Sequence, residues 1–267
     1  MQTCAYCDKT GTKLTKEHLW PASLHRRIDK ANQYIFKEPN IFYLSKADKI
    51  IVAEPQVKDV CAECNNGVLS ELDAYICQLW DKYFYKIVER GEEVRFEYNY
   101  NLLSRWLLKM SYNSARIHNS DVEHLAKCKG YILGQAPQPD HVMIHLQLAY
   151  PVAFTSCDLR TVRELGLELT QHEPRRNRIG QLSYVTRTGI HRVIRAVHLQ
   201  SYIFLIHLFP SKVSPRERLS NLEDFKLNLP FTERLDDNVS PFLVKCEGMD
   251  SRESLYSHYR QKGIPKL

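Results

Sequence analysis

Apolar residues recur at steps of three and four between residues 65 and 90, which predicts one amphipathic helix there. Gly91 follows the last of these positions. A second helix is predicted to begin near Asn101 or Ser104, either of which can cap it, and to end near residue 118. A short third helix is predicted over residues 120–129. The apolar positions of the first helix are Leu69, Leu72, Ile76, Leu79, Tyr83 and Ile87.

Alternating or β-branched apolar residues predict strands on both sides of these helices. Upstream, residues 49–53 have this pattern, and a short strand or hairpin arm is expected to carry His18. Downstream, residues 94–98 alternate, and the pattern is mainly that of strands over residues 142–209. The fold class predicted from both periodicities is α+β.

The chain has 267 residues, enough for a sizeable core, and two parts are predicted. Residues 1–90 form an N-terminal module, and residues 91–267 form a C-terminal domain in which a helical bridge leads into a mainly β part. Residues 26–60 are interpreted as a long link broken by prolines. Residues 211–267 are interpreted as irregular chain with short helices.

The composition is that of a soluble globular protein, with 43% apolar and 25% charged residues. No run of about 18 apolar residues is present, so no membrane span is expected. The first residues include neither a basic start nor an apolar signal segment. A cytoplasmic protein is therefore expected.

Eight cysteines are present, and four of them form two C-x-x-C pairs, Cys4 with Cys7 and Cys61 with Cys64. Two such pairs predict a tetrahedral zinc site. Four thiolates leave no position for a substrate, so the zinc is expected to be structural, and the chemistry should lie beside it. The other cysteines are expected to be buried small apolar residues: Cys77, Cys128, Cys157 and Cys246.

The net charge of +6 is modest, but arginine is concentrated in one segment. Residues 141–220 hold ten arginines and one lysine against four glutamates and one aspartate. Arginine suits phosphate recognition, so contact with a nucleic-acid backbone is one interpretation, and a solvated loop is the other. The candidates for nucleic-acid binding are Arg175, Arg176, Arg178, Arg192 and Lys109.

Three short motifs surround the paired cysteines. Glu17 and His18 open a Glu-His-x-x-Pro motif, and Asn65 directly follows the second pair in Cys-x-x-Cys-Asn-Asn-Gly. Trp106-x-x-Lys109 lies downstream. Together these motifs resemble the HNH endonucleases, the zinc-stapled branch of the ββα-metal superfamily, over residues 1–115. The resemblance implies an N-terminal ββα-metal (HNH) module that contains the four-cysteine zinc site.

The resemblance also implies roles for individual residues. His18 is expected to be the general base, while Glu17 and Asn65 hold a catalytic Mg²⁺ or Mn²⁺ ion. Asn66 is an alternative to Asn65, and Asn40 is a candidate for a loop-steadying asparagine. Many relatives have Asp at the position of Glu17, whose longer side chain could act through water. Because strand neighbours point to opposite sides, a kink or bulge is required if Glu17 and His18 both face the substrate.

The expected activity is hydrolysis of phosphodiester bonds in double-stranded DNA. The resemblance implies a role in bacterial antiviral defence or restriction, and it allows a protein partner or a dimer that regulates cleavage. Two alternatives stay open. One is a zinc-containing DNA-binding module without catalysis, and the other is a nuclease that cleaves RNA.

Overall fold

The structure is a computed structural model that describes residues 2–35, 42–44, 49–51, 55–150, 155–157, 160, 177–209, 213–237 and 240–248. Over these residues the protein combines helices with antiparallel sheets, which confirms the predicted α+β class. Within the same ranges, every helix is too short or too polar to cross a membrane.

An N-terminal hairpin is formed by β1 (Leu14–His18) and β4 (Gln56–Cys61), which pair antiparallel. The register shifts once. Thr15 pairs with Val60 but the next residue of β1 pairs with Lys58, so Asp59 is the extra residue of a bulge on β4. A bulge leaves its extra residue outside the ladder and redirects side chains. This bulge frees Asp59 to interact with another element.

A helix that the sequence analysis did not predict lies between the two strands of the hairpin. It is α1 (Ala22–Ile35), and it is followed by a small sheet of β2 (Phe42–Leu44) and β3 (Lys49–Ile51). Leu24 and Ile28, one turn apart, are buried and anchor α1 on the core. The interpretation of residues 26–60 as a link was therefore wrong over α1. The sequence did not predict this helix because the apolar stripe of α1 is narrow and most of its residues are polar.

The predicted helix over residues 65–90 is broken into pieces. It comprises α2 (Ala62–Asn66), α3 (Val68–Leu79) and a π-helical turn (Trp80–Phe84). Gly67 separates α2 from α3 with a non-helical backbone. A Cβ on this glycine would lie 2.7 Å from the carbonyl oxygen of Glu63, so the break requires a residue without a side chain.

The central helix of the fold is α4 (Tyr100–His118), which packs between α3 and a larger sheet. It begins earlier than predicted, because Asn99 rather than Asn101 or Ser104 is the cap, and the Asn99 side chain accepts from the N–H of Leu102 at 3.1 Å. Asn119 ends it in the left-handed region, with φ of 54°. The predicted third helix corresponds to α5 (Val122–Ala126), and a further short helix, α6 (Lys129–Ile132), begins where it was predicted to end.

The C-terminal half is built on an antiparallel sheet of five strands in the order β10-β6-β9-β8-β7. A 14-residue helix, α7 (Pro215–Asn228), packs on this sheet, which corrects the interpretation of residues 211–267 as irregular chain with short helices. The strands are β6 (Val142–Leu148), β7 (Arg178–Val185), β8 (His191–Leu199), β9 (Tyr202–Leu208) and β10 (Glu233–Leu235).

One continuous apolar core connects the two halves of the chain. It extends from the N-terminal cysteines, through α3 and α4, to the inner face of the large sheet. The two parts are also joined near residue 90, where the backbone N–H of Val88 donates to Oγ of Ser201 at 3.1 Å. Just beyond, β5 (Glu93–Phe96) pairs with β11 (Phe242–Lys245) within the C-terminal part. The core therefore continues across the predicted boundary at residue 90.

A pair of buried histidines lies between the large sheet and α7. The rings of His145 and His207 have centroids 5.0 Å apart, and both pack on Phe225. Nδ1 of His145 and Nε2 of His207 are buried and make no hydrogen bond to the described residues. Burial, with help from the nearby charges of Arg234 and Lys226, lowers the pKa of His145 to about 3, and burial also lowers the pKa of His207.

This pair is expected to make the protein acid-sensitive. In the unfolded chain the two histidines take up protons below their ordinary pKa of about 6.5. In the folded protein the lowered pKa values keep both histidines neutral to lower pH. The free energy of unfolding should therefore fall between about pH 6.5 and pH 3, by up to about 1.4 kcal/mol per pH unit for each histidine. Urea unfolding of wild type and His145→Leu at several pH values measures the difference in slope. Equal slopes would contradict the expectation.

Candidate metal centre and hairpin face

Four cysteine sulfurs meet at the base of the hairpin. Cys4 and Cys7 lie in and beside the turn before β1, Cys61 is the last residue of β4, and Cys64 lies in α2. Their Sγ atoms all lie within 4.8 Å of one another. The two C-x-x-C pairs therefore form one candidate metal site, as their spacing predicts.

The geometry and chemistry of this cluster suit zinc. Bonds of about 2.3 Å in a tetrahedron place sulfurs roughly 3.8 Å apart, and the sulfurs of Cys7 and Cys61 are 3.7 Å apart. The backbone N–H of Cys61 donates to Sγ of Cys4 at 3.3 Å. Burial alone would raise the pKa of the Cys4 thiol, but such backbone N–H groups lower it to about 7. The four cysteines could thus hold a metal ion such as zinc.

The remaining cysteines do not all behave as predicted. Cys77, Cys128 and Cys246 are buried, which agrees with their interpretation as small apolar residues. Cys157 is exposed, so that interpretation was wrong for it. It follows an exposed threonine and serine rather than lying in a packed strand.

His18 lies at the end of β1 and is half-buried. Its Nδ1 is 3.4 Å from Nε2 of Gln56, its partner across the hairpin. Lys16 and Lys58 form the neighbouring cross-strand pair, and both are exposed. Because strand side chains alternate, these residues share one side of the hairpin. We call this surface, formed by Lys16, His18, Gln56 and Lys58, the hairpin face.

Glu17 points away from the hairpin face and into the protein. Its side chain is only 5% exposed, and Oε1 lies 3.0 Å from Nζ of Lys109. Nδ2 of Asn113 donates to the same oxygen at 3.0 Å. The structure therefore does not bring Glu17 and His18 to one surface, because the bulge lies before both residues and leaves their alternation unchanged.

Lys109 is the centre of a buried ion-pair cluster. Nζ lies 2.6 Å from both carboxylate oxygens of Asp73, in addition to its contact with Glu17. Nε1 of Trp106 also donates to Asp73. Burial alone would lower the pKa of Lys109, but the two carboxylates raise it above its ordinary value. With 1% exposure, the Lys109 side chain cannot reach a nucleic acid, which corrects that prediction.

Asn113 attaches the hairpin to α4. Its Nδ2 donates to Glu17 and, at 3.2 Å, to the backbone carbonyl of His18. Its Oδ1 accepts from the hydroxyl of Tyr6 at 2.6 Å and from Arg116 at 2.5 Å. Asn113 thus holds the backbone that carries His18. No motif predicted this role, although Asn113 follows Lys109 by one helical turn and so lies on the same side of α4.

Asn65 lies against the beginning of the hairpin face. Its Nδ2 donates to Oγ1 of Thr15 at 2.9 Å and to the carbonyl of Lys16 at 3.1 Å. No described residue donates to its Oδ1. Its hydrogen bonds thus reach β1 three and two residues before His18, and Asn66 is exposed. Asn65 secures α2 to β1, and its role as an ion ligand stays a prediction.

Two of the arginine candidates, Arg178 and Arg192, lie on paired strands of the large sheet. Arg192 lies on β8 and is paired with Glu217 of α7 at 3.4 Å. Arg178 is half-buried at the start of β7. Arg175 and Arg176, like the candidate Asn40, lie outside the described residues. A nucleic-acid contact by the arginines stays a prediction.

Lys109→Met is expected to lower the free energy of unfolding by about 3–5 kcal/mol, because it leaves the Glu17 and Asp73 carboxylates buried without a cation. Urea unfolding at pH 7 measures the loss. Adding Glu17→Gln and Asp73→Asn should restore part of the stability, since both uncompensated charges are then removed. Lys30→Met, an exposed site on α1, is the control and should change stability by less than about 0.5 kcal/mol. A Lys109→Met variant as stable as wild type would refute the cluster's role.

Comparison with known proteins adds no relative: no family model, curated protein or solved structure matches this chain. Arguments about function therefore depend on the residues and contacts described above.

Proposed function

We propose that this protein is a zinc-stabilised nuclease of the HNH type that hydrolyses phosphodiester bonds in DNA, with His18 as general base. The observation that carries the proposal is the position of His18 on the hairpin that the four-cysteine site holds together. The cysteines join the turn before β1, the end of β4 and the following helix, which supports a strand–strand–helix unit. His18 lies at the end of the first strand of that unit, half-buried and next to two lysines.

The contacts of His18 suit proton transfer. The amide of Gln56 can only donate through Nε2, so its contact at 3.4 Å favours the imidazole with a lone pair on Nδ1. At this length the contact is weak, and a water can replace it. Nδ1 then accepts a proton from that water as the water oxygen bonds to phosphorus and the bond from phosphorus to the 3′-oxygen breaks, with solvent protonating the leaving oxygen. A histidine suits the role of base near neutral pH. Asn113 holds the His18 backbone through its carbonyl and thereby keeps the ring in place.

The predicted catalytic-ion ligands support this mechanism only in part. A hard divalent ion takes oxygen ligands and would stabilise charge on the phosphate when bound. Asn65 has a carbonyl oxygen to offer, but Glu17 is buried and bound to Lys109 and Asn113. The pair Glu17 and Asn65 therefore does not fit the ion as predicted, and no step of the proposed hydrolysis depends on the ion.

Incubation of the zinc-loaded protein with supercoiled plasmid tests the proposal. Separate reactions contain Mg²⁺, Mn²⁺ or Ca²⁺, and parallel reactions contain RNA. Conversion of plasmid to nicked or linear DNA is expected. Binding to DNA without cleavage under all these conditions would favour the zinc-containing DNA-binding module instead, and cleavage of RNA alone would replace DNA as the substrate.

A further inference from the structure

Lys16 and Lys58 stand directly opposite each other on the hairpin face. Paired positions in an antiparallel ladder bring Cβ atoms to about 4.5–5.5 Å, where like charges repel. His18 and Gln56 form the next paired position on the same face, roughly 7 Å further along. Two positive charges and the proposed general base therefore lie side by side on one exposed surface.

The acidic neighbours of both lysines are directed into the protein. Glu17, which follows Lys16, is bound by Lys109. Asp59, the bulge residue that follows Lys58, is bound by Arg116. Both partner cations belong to α4, so this helix neutralises the two carboxylates that could otherwise pair with the lysines.

The outward surface keeps its positive charge as a result. Neither Lys16 nor Lys58 makes an ion pair with any residue that the structure describes. The cross-strand repulsion would be relieved by an anion placed between the two ammonium groups. The position beside His18 makes the phosphate of a nucleic-acid backbone the anion that fits.

We infer that Lys16 and Lys58 form a clamp for a DNA phosphate next to the bond that is hydrolysed by the water that His18 deprotonates. This inference rests on the proposed function and assigns the positive charge that the mechanism needs at the phosphate. Lysine is a point charge on a flexible stem, so the clamp contacts the backbone without reading the base sequence.

Fluorescence anisotropy with a labelled DNA duplex tests the clamp. The zinc-loaded protein carries His18→Ala, which prevents cleavage, and the buffer contains no divalent ion. Adding Lys16→Ala and Lys58→Ala is expected to weaken binding roughly tenfold at low salt and to reduce the slope of log K against log salt by about 1.8. Lys16→Arg with Lys58→Arg should retain most of the affinity, because the charge is kept.

The matched control is Lys30→Ala with Lys226→Ala, which removes the same charge from exposed positions on α1 and α7. Equal losses of affinity in the two double variants would overturn the clamp, and so would an unchanged salt slope. Absence of any binding to duplex DNA by the parent protein would overturn it as well. Should the double alanine variant melt early or lose zinc, the two single variants are compared, and at least one of them must show the weaker binding and the smaller slope.

The two proposals can fail separately. A lysine-dependent loss of binding, together with a wild-type protein that cleaves nothing, would leave the clamp standing and reject the nuclease. Cleavage that requires His18 but is equally fast after Lys16→Ala and Lys58→Ala would reject the clamp and leave the nuclease standing.

Discussion

Cys61→Ser should release zinc and remove much of the stability of the protein. Cys61 supplies one of the four sulfurs and is also the last residue of β4, so its loss separates the hairpin from α2. Structural zinc sites contribute on the order of 10 kcal/mol to folding. A loss of about 5 kcal/mol or more is expected, which corresponds to a fall in Tm of roughly 10–20 °C for a chain of this size.

Elemental analysis and thermal melts of the purified proteins measure this effect. Wild type should contain one zinc per chain, and Cys61→Ser should contain little. Cys128→Ser is the matched control, because Cys128 is buried but lies outside the cluster. It should keep its zinc and lose much less stability. A wild-type protein without zinc, or a Cys61→Ser variant that retains it, would show that the four sulfurs are not a zinc site.

His18→Ala should abolish DNA cleavage without unfolding the protein. A general base typically accelerates a reaction by about 10²–10⁴-fold, so plasmid nicking should fall at least about 100-fold. Stability should change little, because the side chain is half-buried and lies at the end of a strand, whereas its backbone stays bound to Asn113. Initial rates of nicking, measured at equal zinc content, provide the comparison.

His25→Ala is the control for this experiment. His25 is another half-buried histidine, on α1, and its Nδ1 lies 3.0 Å from Asp29. It has no place in the proposed mechanism, so its variant should cleave at the wild-type rate. Equal cleavage by wild type and His18→Ala would indicate a contaminating nuclease or a different base, and the proposed role of His18 would be lost.

Local spacing was sufficient to predict several features of the fold and the candidate site. The two C-x-x-C pairs predicted a shared metal site, because each pair presents two sulfurs within one turn. The periodicity of apolar residues predicted α4 and its end near residue 118, and the strands from β6 to β9 lie within the region predicted to be β. These features depend on residues close in sequence, so the sequence contains most of the information about them.

The breaks between helices were harder to predict from the sequence than the helices themselves. Gly67 lies just inside the predicted start of the helix and before its first apolar position, Leu69, so the apolar pattern did not indicate a break there. The reason for the break is the close approach of the Glu63 carbonyl, which is a property of the folded backbone. In the same way, α1 and α7 have mostly polar sequences, and their packing against the rest of the chain supports them as helices.

By itself, the sequence determined the α+β class, the joint cysteine site and the strand that carries His18. Only the tertiary structure decided which way the charges beside that strand point. Glu17 and Asp59 are directed inward because α4 places Lys109 and Arg116 behind the hairpin, and Lys16 and Lys58 are left outward. The burial of a charge is decided by partners that are distant in sequence, and no local pattern records which partner will be there.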